Sequence, residues 1–297
     1  QVALERLYRQ RERWSDLVAI LLENLETAEG QEAIELHLEV GELYEKRLNE
    51  PHHAVDHFEL VLERSPRHLA AQEALERILD TKSERQRIAT ILEPLYESQG
   101  AWPELTRILE VQLDEAADPA HRLSLYVRLA EIAERNLNDL ERAFSALASA
   151  VEVDPDDLPA RESLLRVARR KGDLEGAAAS LLRAAENSNT PYVEAEILLV
   201  VGALLQDEIG DDERAKKVFV RLLDIDPDNP ETVMTVSKAL ERIHLASEDY
   251  PALIEDLRRQ ARYEDDYEAR NALLIRVADL YELQLGDLEG AIATHRE

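Results

Sequence analysis

The sequence predicts an all-α chain of antiparallel helical hairpins stacked in a row, with about 16–17 helices. Three observations lead there. Apolar residues recur at helical spacing from end to end, as in Leu125, Leu129, Ile132 and in Leu198, Val201, Leu205. Four segments of the chain align with one another. The composition removes competing classes. With 9 Gly, 11 Pro and 5% aromatics in 297 residues, collagen-like and low-complexity chains are excluded and a turn-rich all-β sandwich is disfavoured. Hydrophobic residues at 45% suffice for a core.

In chain order, helices are expected at 2–11, 14–28, 31–48, 52–64, 67–80 and 84–98. They continue at 103–116, 119–137, 139–153, 157–171, 173–187, 191–209 and 211–225, and end with 229–246, 250–264, 267–285 and 287–297. Asp118-Pro119, Thr190-Pro191, Asn229-Pro230 and Asp249-Tyr250-Pro251 mark starts, because an oxygen-bearing side chain accepts orphan N–H groups and Pro is pre-set for the first turn. Trp14-Ser15-Asp16-Leu17, Trp102-Pro103-Glu104-Leu105 and Tyr250-Pro251-Ala252-Leu253 each open an apolar-periodic run, and Asp173-Leu174-Glu175-Gly176-Ala177 fills the same slot more weakly.

The aligned segments are Leu43 to Ala54, Ile132 to Ala143, Leu204 to Ala215 and Leu280 to Ala291. Each has a small residue 13 positions before its Ala: Gly41, Ala130, Gly202 and Ala278. Three close on a proline at one offset, in Ser65-Pro66, Asp154-Pro155 and Asp226-Pro227. A hairpin this short cannot bury its apolar stripe alone, so neighbours must stack to make a continuous core. The small residues are expected to face each other across the hairpin, Gly41 against Ala54 and Gly202 against Ala215. Tyr44, Phe58, Tyr126, Phe219 and Tyr281 are expected to fill the gaps between neighbours.

This pattern resembles the tetratricopeptide repeat. Tyr126, Leu129, Ala130, Ala133, Ala143, Leu147, Ala150 and Pro155 fit its order, as do Leu198, Val201, Gly202, Leu205, Ala215, Phe219, Leu222 and Pro227. The chain looks like long bacterial arrays in which two hairpin types alternate. The resemblance implies a right-handed superhelical solenoid over 1–297, read as a piece of a longer polypeptide. There are departures. The turn inside each aligned segment is one residue too long, and Val61 and Leu222 stand where Ala is usual. The alanine spacings are 89, 72 and 76, and the excess in the first is assigned to an additional helix, making 67–100 an irregular segment that alters the superhelix locally.

The family's binding face is concave and lined by the first helix of each hairpin. Carried over by position, it would comprise Glu35, Glu39 and Glu42, then Ser124, Arg128 and Glu131, then Glu196, Leu199 and Ala203, then Ala272, Arg276 and Asp279. The Lys and Asn clamp by which some relatives hold a C-terminal carboxylate is absent, since Glu39 and Glu42 stand where cations are needed. The net charge of −28 is spread evenly and offers no basic stripe for nucleic acid or anionic lipid. A neutral to basic protein or peptide is the expected partner.

Other chemistry finds little support. Arg161, Arg166, Arg169, Arg170 and Lys171 form one basic cluster, read as offsetting a helix C-terminus. His53 and His57 stand i, i+4 beside His52 and Asp56 but lack a third ligand, and are read as surface histidines with no metal. There is no cysteine, no Gly-rich phosphate loop and no Gly-x-Ser-x-Gly elbow, so neither catalytic residues nor a cofactor are assigned. No apolar run is long enough to cross a membrane. The expected function is a protein-interaction scaffold. The alternatives are a substrate-selecting arm of a larger enzyme, or a repeat module that self-associates into a homo-oligomer.

Overall fold

A computed structural model describes residues 2–297, and among them there are helices and turns but no strand. All seventeen expected helices are present. They fall into two compact units, 1–138 and 139–297. The first holds α1 (Val2–Gln10), α2 (Trp14–Leu25), α3 (Gly30–Leu43), α4 (Pro51–Arg64), α5 (Leu69–Asp80), α6 (Arg85–Gln99), α7 (Trp102–Glu115) and α8 (Pro119–Arg135). The second holds α9 (Leu140–Val153), α10 (Leu158–Lys171), α11 (Leu174–Asn187), α12 (Pro191–Ala203) and α13 (Asp212–Ile225). It ends with α14 (Pro230–Ala246), α15 (Tyr250–Tyr263), α16 (Tyr267–Asp279) and α17 (Leu288–Thr294).

Within each unit the substantial helix packings join elements adjacent or one removed along the chain. This is the signature of an all-α helical-repeat solenoid, in which each hairpin leans only on its neighbours. Starts are capped as the sequence requires. Asp118, Asp157, Asp173, Asp249 and Asn229, among others, accept backbone N–H groups of their first turns, with Asp157 receiving Ala160 N at 2.7 Å.

The extra turn residue has a backbone solution that recurs in all four aligned segments. Helices α3, α12 and α16 widen at their ends into π turns, Tyr44–Leu48, Leu204–Ile209 and Leu280–Gln284. Helix α8 closes likewise with an i+5 bond, Leu137 N donating to Ile132 O at 3.2 Å. A left-handed residue follows each time, Asn49, Asn138, Gly210 or Gly286. An acidic residue then opens the second helix. Glu50, Asp211 and Asp287 donate their N–H back to Tyr44 O, Leu205 O and Tyr281 O at 2.9, 2.8 and 2.8 Å. The widened turn absorbs one residue and keeps the second helix in register.

The packing inside the hairpin differs from the expected small-on-small contact. A Cβ built on Gly41 would fall 2.6 Å from Phe58 Cε1, and one on Gly202 would fall 2.8 Å from Phe219 Cδ1. Each glycine therefore faces the phenylalanine one turn beyond the expected alanine. Phe58 and Phe219 are fully buried fillers, whereas Tyr44, Tyr126 and Tyr281 are half-buried. By sequence the other two segments carry Ala130 with Leu147 and Ala278 with His295 at these positions, and His295 lies exposed beyond α17.

Helices α5 and α6 occupy the region expected to be irregular. Five helix positions separate α3 from α8, against four between α12 and α16. Helix α5 is tied to its neighbours by polar contacts. Arg77 of α5 grips Glu45 at 2.9 and 3.0 Å, and the Tyr96 hydroxyl of α6 donates to Glu76 of α5 at 2.5 Å.

Candidate functional site

The twelve residues carried over to the binding face all lie on first helices, in sets spaced four and three or three and four along one helix side. In the first unit, Glu35 is exposed and accepts from Gln31 Nε2 at 3.2 Å, while Glu39 is bonded to Arg9 of α1 and Glu42 to Lys46 at 2.7 Å. On α8, the Ser124 hydroxyl donates to His121 O at 2.7 Å and Glu131 lies 3.7 Å from Arg135. Arg128 is half-buried between two α6 carboxylates, Glu93 and Glu97, the latter at 3.1 Å. Burial works against its charge, but these two partners outweigh burial and raise its pKa.

In the second unit, Glu196 of α12 meets Arg161 of α10 at 3.2 Å. The neighbouring Tyr192 hydroxyl, with Arg161 in support, holds the Glu196 carboxyl below the usual range against the effect of burial. Leu199 is half-buried in a groove beside Tyr192, and Ala203 is exposed. On α16, Ala272 and Asp279 are exposed, and Arg276 is held by Glu241 of α14 at 2.6 Å.

Sequence reasoning missed a regularity here. Glu93 with Arg128, Arg161 with Glu196 and Glu241 with Arg276 each bridge consecutive first helices, and each pair is 35 residues apart. A search for opposite charges one hairpin apart would have found them. Glu39 and Arg9 form the same kind of bridge at a separation of 30. Much of the charge on the expected face thus links repeats to one another.

The basic cluster does not form one exposed patch. Arg161 is buried, Arg169 holds Glu208 through two bonds of 2.7 and 3.0 Å, and Lys171 meets Glu141 at 2.8 Å and Asp173 at 2.9 Å. His57, expected at the surface, is half-buried, and its Nδ1 lies 2.9 Å from Nδ1 of His37 on α3. Burial, then the neighbouring His37, pushes the His57 imidazole down to about 4. A second buried pair went unforeseen. Asp256 of α15 receives His244 Nδ1 at 2.6 Å and Arg259 Nη1 at 2.9 Å. No group of three or more potential metal ligands is found among the described residues. None of the helices among the described residues is long and apolar enough to cross a membrane.

Comparison with known proteins agrees with this architecture. Family models described as tetratricopeptide repeat match residues 2–35 and 123–157. The second match covers the stretch from Tyr126 to Pro155 that carried the resemblance. The chain carries tetratricopeptide repeats. Such repeats generally mediate protein–protein interaction and bind proteins or peptides, and the family is generally non-catalytic.

No curated protein sequence matches this tetratricopeptide-repeat chain. Among solved structures, it is similar to Pseudomonas aeruginosa pilF at 16% identity, covering 72% of this chain and 90% of that one, with a TM-score of 0.34. It is similar to yeast Tom70 at 14% identity, covering 96% and 62%, with a TM-score of 0.35. It is also similar to TTC0263, a thermophilic repeat protein of Thermus thermophilus, at 22% identity, covering 70% and 99%, with a TM-score of 0.27.

Proposed function

We propose that this chain is a non-catalytic scaffold that holds a peptide or helical segment of a protein partner on its first-helix faces. The observation that carries the reading is the twelve-residue set on α3, α8, α12 and α16. It combines exposed small or polar positions (Ser124, Ala203, Ala272) with the half-buried apolar Leu199. Ion-paired bridges between first helices hold the backbone behind them, which lowers the ordering cost of binding. With a net charge of −28, a neutral to basic partner fits best. We also propose that added helix α5 changes the local path of the array within the first unit.

The test is affinity capture from the native cell with wild type and with Ala203→Arg and Ala272→Arg. These exposed alanines accept the longer side chain without entering the core. Loss of captured partner with unchanged melting supports the reading, and full retention refutes it. Self-association is the second reading, favoured by Leu288 and Ile292, which are 61% and 53% exposed. Sedimentation of a concentration-independent monomer would exclude it.

A further inference from the structure

The interfaces α10–α12 and α14–α16 are related by a shift of 76 residues, which carries Arg169 onto Leu245, Asp207 onto Leu283 and Glu208 onto Gln284. In the earlier interface Arg169 and Glu208 bridge the two helices through a two-bond ion pair, beside an open pocket over Gly172, Asp173 and Leu174. In the later one that pair is gone. A groove of about 250 Å³ opens there, lined by Leu245, Leu253, Leu280 and Leu283, with Arg276 and Asp279 at its rim. Leu245 lies within the array, with α16 following it, and is still 54% exposed; Leu283 is 72% exposed.

The cations beside the groove are paired, Arg242 with Asp207 at 2.9 Å as well as Arg276, which leaves carboxylates as the unpaired charge. Arg276 is neutralised by Glu241 at 2.6 Å. Asp279 and Glu282 are exposed on one side, and Glu248 is exposed three residues beyond Leu245. The volume lies below the roughly 300–1,000 Å³ of a small-molecule pocket and suits a single side chain.

Building on the scaffold reading above, we infer that the α14–α16 groove is the anchor subsite of this face. It takes one bulky aliphatic or aromatic side chain of a partner segment that carries Lys or Arg beside it. Burying that side chain against four leucines supplies the apolar contact of an interface anchor. The surrounding carboxylates select basic flanks and disfavour acidic ones.

The experiment restores the earlier interface's own chemistry. Leu245→Arg with Gln284→Glu replaces one groove leucine and rebuilds the bridging ion pair in a register where the chain already uses it, so the fold should be kept and melting should not fall. Random dodecapeptides displayed on phage are selected on the wild-type chain, and enriched sequences are synthesised and titrated against both proteins. The expected result is enriched Leu, Ile or Phe next to Lys or Arg, with binding weakened at least ten-fold in the double variant. Enriched peptides that bind both proteins equally would overturn the anchor subsite and leave the scaffold reading standing. If no sequence is enriched on the wild type, the anchor subsite and the peptide-binding scaffold fall together.

Discussion

Substituting Gly202 by Ala sets two effects against each other, and the structure decides between them. In a helix interior the change is worth about 1 kcal/mol of stabilisation through propensity. At Gly202 the added Cβ meets three ring atoms of Phe219 at 3 Å or less, closer than real Cβ contacts. The ring is 1% exposed, so any shift that makes room for the Cβ must be taken up inside the core. Overpacking of a filled core costs about 1–3 kcal/mol and forces side chains off their rotamers. The expected net effect is a loss of up to about 2 kcal/mol, in place of the gain of about 1 kcal/mol that propensity alone would give. Phe219→Leu relieves the clash, as the Ala130 and Leu147 register of another segment suggests, at its own cost of about 1–2 kcal/mol for the lost ring volume. The double variant should therefore lose less than the two single losses added, by at least about 1 kcal/mol. Urea unfolding followed by far-UV circular dichroism reads the global loss, and amide exchange along α12 and α13 localises it. A Gly202→Ala protein about 1 kcal/mol more stable than wild type, or strictly additive single effects, would show that the glycine is not there to admit the ring.

Three further outcomes follow from the same contacts. The neutral His57 is favoured on folding, because its imidazole drops from 6.5 to about 4 while an unfolded chain takes up a proton near 6.5. Its contribution is complete above pH 6.5 and is lost as pH falls to 4, by up to about 3 kcal/mol. Unfolding midpoints across that window should slope less in His57→Asn than in wild type. Removing the carboxylate in Asp256→Ala leaves His244 and Arg259 without their shared buried acceptor and should cost about 3–5 kcal/mol by chemical denaturation; a loss under about 1 kcal/mol would mean the network is dispensable. At Gly210, whose φ is +79°, Gly210→Val should cost about 1–2 kcal/mol and Gly210→Asn clearly less, since Asn49 and Asn138 hold the same turn position. Equal melting of the two variants would contradict that account of the turn.

Helix existence, order and capping were legible because they depend on residues close in sequence. Apolar spacing marks which side of a helix is buried, Asp and Asn before the first turn mark starts, and the four aligned segments mark the repeat. The one-residue excess in the turn was legible as well, although its realisation as a π turn closed by a left-handed Asn or Gly was not. Binding-face positions could be placed on first helices by register. Their partners could not, because Arg128 meets Glu93 and Arg276 meets Glu241 only through the lateral packing of different hairpins.

Residues were misjudged where the rotation of one helix against the next matters. His57 looked like a surface residue because its helix side was read alone, yet the approach of α3 brings His37 to 2.9 Å. Gly41 and Gly202 were matched with the right helix but the wrong residue, one turn short of the phenylalanine. Sequence by itself determined that this chain forms short amphipathic helices in repeating pairs, since backbone hydrogen bonds and hydrophobic periodicity act within a few residues. Tertiary structure alone decided which side chains meet, which charges are already spent between repeats and where a groove stays open. Those outcomes depend on sub-helical-turn offsets between neighbours, and periodicity does not encode such offsets.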